Sequence, residues 1–504
     1  MAAQNATRPA SISRRLTGLD AAFLYAESAA SPAHSGMLMF FEGEIPIEQL
    51  LQHIERRLEL LPRYRQRLAM VPLNLAHASL EDDPAFKIEN HVKSHKLPPS
   101  SEAEIIQSAL KVFESPLSRE RPLWEIHAFT GLDSGRTCVL MKIHQCLIGG
   151  VSPVEATSAL FDLRADAPQP EPPAHNWTPN PLPGIAESLL TAIHDVLEER
   201  VDAAFRAQEL LRSPKELADR TGMLADAGRS LSRLVSQPIV SAPWNTGLIG
   251  PRRNLVWSRY SFADFRAIRN AFGGTVNDVV LAMVSEAAAR YLARHDCKPG
   301  GAPLRIACPV NVAFEDEGGT LGNRVSITFS ELPAVPMNPG PRLEAVQQES
   351  ERIKASREAQ SLELLTETLN LVPPGLMGLT SRLANLGLDY AGALGKWASS
   401  LPSCGRFGLP AFGVNFMATN APGVQVPQYL AGHLLLDVIG LPPLQANLGY
   451  GISILGYNQS LYFGMVAEPS LMPDLEIMRA CLDQAFTELK QSAEARNAQA
   501  ETTA

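Results

Sequence analysis

The sequence predicts two mixed α/β domains, and three observations predict them. The chain has 504 residues, more than one hydrophobic core usually serves, so we expect at least two domains. Each half alternates short apolar runs, typical of strands, with longer runs of helical periodicity. A Pro-rich stretch at 168–184 separates the halves and indicates a linker. We therefore divide the chain into an N-terminal domain (1–167), a Pro-rich and helical linker (168–250), a C-terminal domain (251–490) and a flexible tail (491–504).

The first domain is predicted to begin with a strand and to end with a hairpin. Apolar runs bounded by turn residues predict its strands, and Leu and Ile at helical spacing predict its helices. Ser101 and Glu104 form a capping-box pattern at the start of the second helix. The predicted elements are strand 36–43, helix 47–68, helix 101–117, and strands 124–132 and 137–147.

The second half is predicted from the same signals. After a helical run without strand signals, at 185 to about 236, a mixed region starts near residue 254. Its predicted strands are 254–262, 303–312, 323–332, 413–420 and 460–468, and its predicted helices are 263–272, 276–295, 339–360 and 475–491. Both halves thus mix helix and strand, which is the α+β pattern from which we predict the fold class.

Charge and cysteine content exclude several classes of function. Lys and Arg number 44 and Asp and Glu 53, so the net charge is −9, which disfavours broad nucleic-acid binding. Six scattered cysteines give neither a zinc site nor a disulfide framework, and no phosphate-cradling glycine loop follows a strand. We expect no metal and no nicotinamide cofactor. Without a signal peptide or a continuous apolar span, we expect a cytoplasmic protein.

One stretch suggests a lipid surface. Residues 371–402 are nearly all apolar or small, and Arg382, Asp389 and Lys396 lie seven residues apart on one helical face. A helix lying in a membrane interface has this pattern, and so does a core helix with one wet edge. Charged residues make up only 19% of the chain, which hints at apolar partners.

The residues with the clearest chemical potential follow the last strand of the first domain. His144 ends a β-rich run, and Gly149 and Gly150 follow it. A histidine at the mouth of a pocket can act as a general base. A lone histidine on a half-buried strand is more often a hydrogen-bonded structural residue, so both interpretations stay open. Cys146 is a weak candidate for a nucleophile, because strand neighbours rarely converge as a Cys–His pair requires.

Read with its flanks, the sequence resembles the bacterial wax ester synthase/acyl-CoA:diacylglycerol acyltransferase family, from residue 16 to about 489. The matching segments come in family order. They are GLDAAFLYAES (18–28), PAHSGMLMFFEG (32–43), RPLWEIH (121–127), TVNDVVLAMVSEAAARYL (275–292), PVNV (309–312), LGNRVSI (321–327), ELP (331–333), ATNAPGVQVPQYLAGHLL (418–435) and SLYFGMVAEPSLMPDL (460–475).

The resemblance implies a fold and an activity. Members of the family have two chloramphenicol-acetyltransferase-like domains with mixed sheets, joined by a helical linker around a tunnel. They transfer the acyl group of acyl-CoA, a substrate rather than a cofactor, to diacylglycerol or a long-chain alcohol. In their HHxxxDG motif the second histidine is the general base and the aspartate is structural. The hydroxyl then attacks the thioester directly, and hydrogen-bond donors stabilise the oxyanion.

The motif is altered in this chain. Aligned residue by residue, it reads His144-Gln145-Cys146-Leu147-Ile148-Gly149-Gly150. Gln145 stands at the base position and cannot accept the hydroxyl proton, although it could orient a hydroxyl or donate to an oxyanion. Gly149 replaces the structural aspartate. Strand neighbours point to opposite faces, so His144 faces away if Gln145 faces the tunnel. We keep His144 as the catalytic candidate of the motif, beside a structural role.

The resemblance also implies supporting residues. Asn277 and Asp278 begin a long helix, where Thr275 or Asn277 could cap it and Asp278 could meet its positive end; a supporting role is favoured over direct catalysis. Other candidates serve packing or substrate binding. Pro122, Leu123 and Trp124 are predicted packing anchors beside the motif strand, Asn323 and Arg324 are candidate coenzyme A contacts, and His34 and His127 are predicted structural histidines near the tunnel.

Three functions follow from these observations. The first is acyl transfer from acyl-CoA to diacylglycerol or a fatty alcohol, giving triacylglycerol or wax ester. The second is a catalytically impaired homologue that binds lipid or regulates an active one. The third is acyl transfer from a carrier-protein thioester or to an unusual acceptor, as in condensation-type enzymes. We expect a peripheral position on the inner membrane or on lipid inclusions, and no nucleic-acid partner.

Overall fold

The computed structural model describes most of both halves of the chain. The described residues are 15–71, 76–148, 159–168, 170, 177–184, 237–245, 249–311, 325–356, 413–445 and 448–503, with isolated positions between 187 and 225. Strands and helices alternate in both halves, so the mixed α/β class predicted from the sequence is confirmed.

The first half holds six strands and four helices among its described residues. They are α1 (Gly18–Ala26), β1 (His34–Phe41), α2 (Ile47–Arg57), β2 (Gln66–Ala69), β3 (Ser79–Asp82), β4 (Val92–Ser100), α3 (Glu102–Phe113), β5 (Trp124–Leu132), β6 (Thr137–His144) and α4 (Gln145–Ile148). The capping box predicted for the second helix is confirmed, because the Ser101 side chain accepts from the Glu104 amide and the Glu104 carboxylate accepts from the Ser101 amide.

Two boundaries in this half correct the sequence predictions. The helix predicted over 47–68 ends at Arg57, and two short 3₁₀ turns and strand β2 follow it. Pro62 begins the second of these turns after Leu61 leaves helical dihedral angles, since proline cannot continue a helix hydrogen-bond ladder. The strand predicted over 137–147 ends at His144, and helix α4 begins at the next residue.

The second half contributes the remaining elements. They are β7 (Asn254–Ser261), α5 (Phe262–Phe272), α6 (Val276–Arg294), β8 (Leu304–Asn311), β9 (Val325–Leu332), α7 (Pro339–Ser356), β10 (Phe416–Ala421), β11 (Tyr429–Leu430), β12 (His433–Leu441), β13 (Tyr450–Tyr457), β14 (Ser460–Ala467) and α8 (Leu475–Thr503). The sequence prediction missed β12 and β13. Helix α8 continues to Thr503, which corrects the flexible tail predicted from residue 491.

Twelve of the described strands form two six-stranded mixed sheets, and β2 and β3 form a separate antiparallel pair. The first has the order β11-β12-β1-β6-β5-β4 and the second the order β7-β14-β13-β10-β8-β9. In the first sheet β6 lies between β1 and β5 and is antiparallel to both. The strand that carries the motif is therefore central in its sheet and fixed on both edges.

One strand joins the two halves. Strand β12 belongs by sequence to the second half, but it pairs antiparallel with β1 of the first sheet. Where β12 passes the second sheet, the backbones approach so closely that a side chain at Gly440 would meet Ser453. The domain boundaries given above stay a prediction, and this exchanged strand is a connection that they did not include.

Two layers of apolar residues place the first sheet between its neighbours. One face packs on α3, through residues such as Ile105, Leu110 and Phe129. The other face forms a cluster with α2 that also includes Tyr457 and Tyr462 of the second half. The two halves thus share a core on this face of the first sheet.

The linker and the question of membrane spans complete the description. Residues 177–184 have no regular secondary structure, and the isolated described positions between 187 and 225 are helical. The linker over 168–250 stays a prediction. The stretch 371–402 lies outside the described residues. Within those that are described, we find no helix whose length and apolar character would let it cross a membrane.

Candidate functional site

The motif lies where β6 gives way to α4. The His144 amide donates to the Leu123 carbonyl over 3.0 Å, and the Gln145 amide donates to the Ala33 carbonyl over 2.9 Å. Leu123 precedes β5 and Ala33 precedes β1, the two neighbours of β6. The strand end is therefore held from both sides, which fixes the direction in which α4 starts.

His144 is buried, and among the described residues its ring is hydrogen-bonded through Nδ1 but not through Nε2. Its exposed fraction is 1%. The Cys146 amide donates to Nδ1 over 3.1 Å, and Nε2 faces Oε1 of Glu27 at 3.5 Å. An amide can only donate, so Nδ1 is the unprotonated nitrogen and Nε2 carries the hydrogen. In this tautomer the nitrogen that could take a proton from a substrate is Nδ1, and it already accepts from the Cys146 amide.

Glu27 is a buried carboxylate that stays ionised. Its Oε1 accepts from the Ala33 amide over 3.1 Å, and its Oε2 accepts from Arg119 over 2.8 and 3.2 Å. Burial by itself raises the pKa of this carboxyl, but contacts with His144, Arg119 and the Ala33 amide outweigh it and lower the pKa to about 2. A negative charge is therefore present beside His144 at neutral pH.

Gln145 faces a different environment from His144. It is half-buried, and its Nε2 donates to Ser35 Oγ. Among the described residues, no hydrogen bond involves its Oε1. The amide is thus oriented by Ser35 and leaves one acceptor oxygen for another group, for which a hydroxyl is a suitable donor.

The thiol of Cys146 is not placed for catalysis. It is fully buried, and burial raises its pKa far above the ordinary value. His144 contacts the backbone amide of Cys146 rather than its sulfur. These observations agree with the interpretation of Cys146 as a weak candidate for a nucleophile. In the part of the chain that the structure describes, no group of three or more His, Cys, Asp or Glu residues could hold a metal ion.

The segment Pro122–Trp124 contacts the motif strand directly. Leu123 accepts the His144 amide, and the Trp124 amide donates to the Pro122 carbonyl over 2.9 Å. The Trp124 indole is buried, donates to the Tyr64 carbonyl over 2.7 Å and stacks on His91. These contacts place the three residues as packing anchors beside β6, the position predicted for them.

Asn277 and Asp278 lie at the start of α6. Thr275 and Asp278 form a capping box, and Asp278 also accepts from Ser350 over 2.7 Å. Asn277 accepts from Asn420 of β10 over 3.0 Å. Helix capping, one of the roles predicted for this pair, is thus observed, with Thr275 as the capping residue. Among the described residues, no hydrogen bond joins the pair to the motif, so its supporting role there stays a prediction.

The other histidines considered from the sequence are buried and bonded. His34 pairs with His144 across β1 and β6 and contacts the Phe113 carbonyl over 2.6 Å. Burial, with the nearby Lys142 charge, lowers the pKa of His34 to about 3. His127 contacts Glu125 over 3.0 Å and His95 over 2.9 Å. These contacts support a structural role for both.

Some predicted site residues lie outside the described residues. They are Gly149, Gly150, Asn323 and Arg324. Their roles, like the catalytic roles considered for His144 and Gln145, stay predictions.

Sequence reasoning also missed residues that contact the motif. Glu27, Ala33 and Ser35 lie in or beside two segments that resemble the family, so the resemblance could have indicated them. Their residue types alone could not. Arg119 had no such signal, because an arginine in a polar turn resembles any surface arginine.

Two cavities among the described residues bear on the location of the site. A groove of about 520 Å³ lies on the second half and is lined by residues such as Pro299, Glu331 and Arg352. It includes no motif residue, so we do not place the reaction there. A cavity of about 10 Å³ lies between His34, Phe113, Arg253 and Leu444, beside the strand pair that carries the motif, and has room for about one water.

Comparisons with known proteins bear on the site as a whole. Residues 16–280 match the family model described as the wax ester synthase/diacylglycerol acyltransferase catalytic domain, and residues 321–490 match the WS/DGAT C-terminal domain. A Mycobacterium tuberculosis protein named as a diacylglycerol O-acyltransferase is 28% identical over 469 residues, covering 92% of this chain and 87% of the relative.

Solved structures show the fold. A wax ester synthase/diacylglycerol acyltransferase from Marinobacter aquaeolei superposes with a TM-score of 0.63 at 22% identity, covering 95% of this chain and 99% of that one. The starter condensation domain of rhizomide synthetase, solved with C8-CoA and Leu-SNAC, gives 0.56 at 13% identity, covering 96% and 95%. Both are two-domain folds of the chloramphenicol-acetyltransferase type, so the predicted fold class is confirmed.

Proposed function

Because this chain belongs to the wax ester synthase/diacylglycerol acyltransferase family, we propose that it is an O-acyltransferase that moves a fatty acyl group from acyl-CoA to diacylglycerol or a long-chain alcohol. The observation that carries the proposal is the match to both family domains, in order and over most of the chain. Acyl-CoA enters as a substrate, and the residues that hold it are not assigned. The products would be triacylglycerol or wax ester, made at a membrane or lipid-inclusion surface.

The reaction asks three things of the protein. The acceptor hydroxyl must attack the thioester carbonyl, its proton must leave, and the tetrahedral oxyanion must meet hydrogen-bond donors. The C–S bond then breaks, and the coenzyme A thiolate takes up a proton. Gln145 supports the first of these, since Ser35 orients its amide and its Oε1 can accept from the acceptor hydroxyl.

Gln145 cannot supply the second. An amide does not titrate near neutral pH, and general-base catalysis is worth roughly 10²–10⁴-fold. His144 does not replace it in the described geometry, because both of its ring nitrogens contact protein groups. We therefore propose slow turnover that depends on positioning, with water as the proton acceptor.

The same observations favour a second candidate function. A chain with Gln145 and Gly149 in the motif, and with His144 buried against Glu27, also fits a catalytically impaired homologue that binds lipid or regulates an active relative. The two candidates differ in one measurable quantity, the rate at which the natural protein releases coenzyme A.

The first experiment measures that rate. The purified full chain is incubated with palmitoyl-CoA and either hexadecanol or diacylglycerol, and free thiol is followed against a blank without acceptor. Acceptor-dependent release above the blank supports the acyltransferase. No release with any acceptor contradicts it and leaves the impaired homologue. Competition by an acyl-carrier thioester tests whether the donor is a carrier protein.

The second experiment restores the motif. Gln145→His with Gly149→Asp is expected to raise the rate by roughly 10²–10⁴-fold if the missing base limits turnover. Gln484→His is the matched control, because Gln484 lies on the exposed surface of α8 and its side-chain amide donates to Glu488. A gain from zero identifies an impaired homologue. No gain over a measurable natural rate would show that the base position does not limit the reaction.

A further inference from the structure

Glu27 reaches the motif although it lies more than 100 residues before it in the sequence. It follows α1, and its side chain is 6% exposed. Its carboxylate touches the motif by two separate routes, each made of hydrogen bonds or charge contacts between described residues. Neither route uses a residue that the sequence marked as catalytic apart from His144 and Gln145.

The first route passes through the imidazole of His144. Glu27 Oε1 faces Nε2 at 3.5 Å, and the Cys146 amide donates to Nδ1 over 3.1 Å. A carboxylate beside Nε2 favours the tautomer with hydrogen on that nitrogen, which leaves Nδ1 as an acceptor. Cys146 is in the first turn of α4, so the tautomer of His144 decides whether that turn is held.

The second route passes through the backbone of Ala33. The Ala33 amide donates to Glu27 Oε1 over 3.1 Å, and the Ala33 carbonyl accepts from the Gln145 amide over 2.9 Å. The next residue but one along β1, Ser35, accepts from the Gln145 side chain. The carboxylate is thus linked to the backbone of Gln145 through Ala33, by a path that does not pass through His144.

Arg119 fixes the carboxylate itself. Its guanidinium donates twice to Oε2 and once to the Leu24 carbonyl at 2.8 Å. The carboxylate is therefore tied to the end of α1, while its other oxygen serves the motif. Three N–H groups, one from the Ala33 amide and two from Arg119, donate to this buried carboxylate, and Nε2 of His144 faces it at 3.5 Å.

We propose that Glu27 is a positioning residue of this site. It sets the tautomer of His144, and through Ala33 and the first turn of α4 it holds the side-chain amide of Gln145 where the acceptor hydroxyl binds. The catalytic part of this statement rests on the proposed function, whereas the tautomer can be tested without turnover.

The test uses Glu27→Gln and a matched control. Glutamine has nearly the same shape as glutamate, but it has one acceptor oxygen and its NH₂ group can only donate. It therefore cannot accept from both His144 and Arg119. Glu102→Gln is the control, because Glu102 also pairs with an arginine at 2.8 Å, on α3 and away from the motif. If Glu27→Gln does not fold, Arg119→Met is used in its place, because it removes the guanidinium that holds the same carboxylate.

The first readout is nuclear magnetic resonance of the full chain with ¹⁵N-labelled histidine. His144 is assigned from the signal lost in His144→Ala. We expect an unprotonated Nδ1 and a protonated Nε2 in the natural protein and in Glu102→Gln, and a mixture of tautomers in Glu27→Gln. Unchanged His144 nitrogen shifts in Glu27→Gln would overturn the proposal, whatever the turnover.

The second readout is the split between kcat and KM. Glu27→Gln is expected to lower kcat at least tenfold, with KM for the thioester and the pH profile unchanged, and Glu102→Gln to change neither. A loss explained by the unfolded fraction alone contradicts positioning. If the natural protein and the restored motif both fail to turn over, the proposed function falls, and the nitrogen shifts still decide the role of Glu27.

Discussion

Two glutamate–histidine pairs, one at the motif and one on the neighbouring strand, differ in their contacts. Glu27 faces Nε2 of His144 at 3.5 Å without a hydrogen bond, and Glu125 accepts a hydrogen bond from Nε2 of His127 over 3.0 Å. The partners of Nδ1 differ as well. Nδ1 of His144 accepts from the amide of Cys146, and Nδ1 of His127 lies 2.9 Å from Nε2 of His95, a half-exposed ring on strand β4.

The partner of Nδ1 separates the two pairs. A backbone amide does not titrate, whereas His95 can gain or lose a proton. The contact at Nδ1 of His127 therefore has a titratable partner, and the contact at Nδ1 of His144 does not.

The largest expected effect on this comparison comes from replacing each glutamate with the uncharged glutamine. Contacts outweigh burial and lower the pKa of both carboxyls to about 2. A lowered pKa stabilises the fold above the unfolded value near 4.5, and the stabilisation disappears as the pH falls toward 2. We expect Glu27→Gln and Glu125→Gln each to lose about 3 kcal/mol or less at pH 7, with Glu125→Gln losing less because Glu125 is more exposed.

Urea unfolding of the three proteins at pH 7, 5, 4 and 3 measures this effect. The difference between the natural protein and each variant should shrink below pH 4.5. A difference that stays constant down to pH 3 would mean that the charge of the carboxylate is not what stabilises the fold. Only Glu27→Gln should also lower turnover.

Removing each histidine gives a smaller loss. His144→Ala leaves the buried Cys146 amide without its acceptor, and His127→Ala leaves Glu125 with its contacts to Lys93 and Lys142. We expect each to lose roughly 1–3 kcal/mol of unfolding free energy. Turnover should separate them: His144→Ala lowers kcat by about 10²-fold through misplacement of Gln145, and His127→Ala leaves it unchanged.

The measurement pairs thiol release with thermal unfolding of both variants. Equal losses of kcat would show that the motif has no closer coupling to His144 than to the rest of the sheet. A kcat of His144→Ala that falls further and loses a pH dependence seen in the natural protein would instead indicate that His144 acts as the base.

Much of the fold could be predicted from the sequence because its elements are strongly patterned. Strand Trp124–Leu132 has the predicted bounds, and the capping box at Ser101 and Glu104 forms as predicted. Strand β12 was missed, and its partner is β1, about 400 residues away in the chain. Local patterns carry no information on such pairing, since it is decided by tertiary packing.

The candidate site was less predictable for the same reason. The substitution at Gln145 can be read from the sequence once the motif is aligned. The burial of His144 against Glu27 cannot, because it depends on how α1 packs on α4 and on Arg119, which is distant from both in the chain. Strand alternation, used to place His144 opposite Gln145, does not apply where the strand ends and a helix begins.

The smallest expected effect comes from the donor that distinguishes the two pairs. Partial burial, followed by the charges of His127 and Lys93, lowers the pKa of His95. Glu125 and Lys142 are the other charged groups facing the pair. A histidine with a lowered pKa costs stability as the pH falls through its unfolded value near 6.5, because the unfolded chain then binds the proton first.

His95→Ala should therefore lose less than about 1 kcal/mol of unfolding free energy above pH 7, and near pH 5.5 it should lose less still or gain. Urea unfolding at pH 7.5 and 5.5 measures this, with thiol release unchanged at both. If the difference in unfolding free energy does not depend on pH, His95 is not a pH-responsive partner of His127. The contrast between the two glutamate–histidine pairs in their Nδ1 partners would then have no effect on stability.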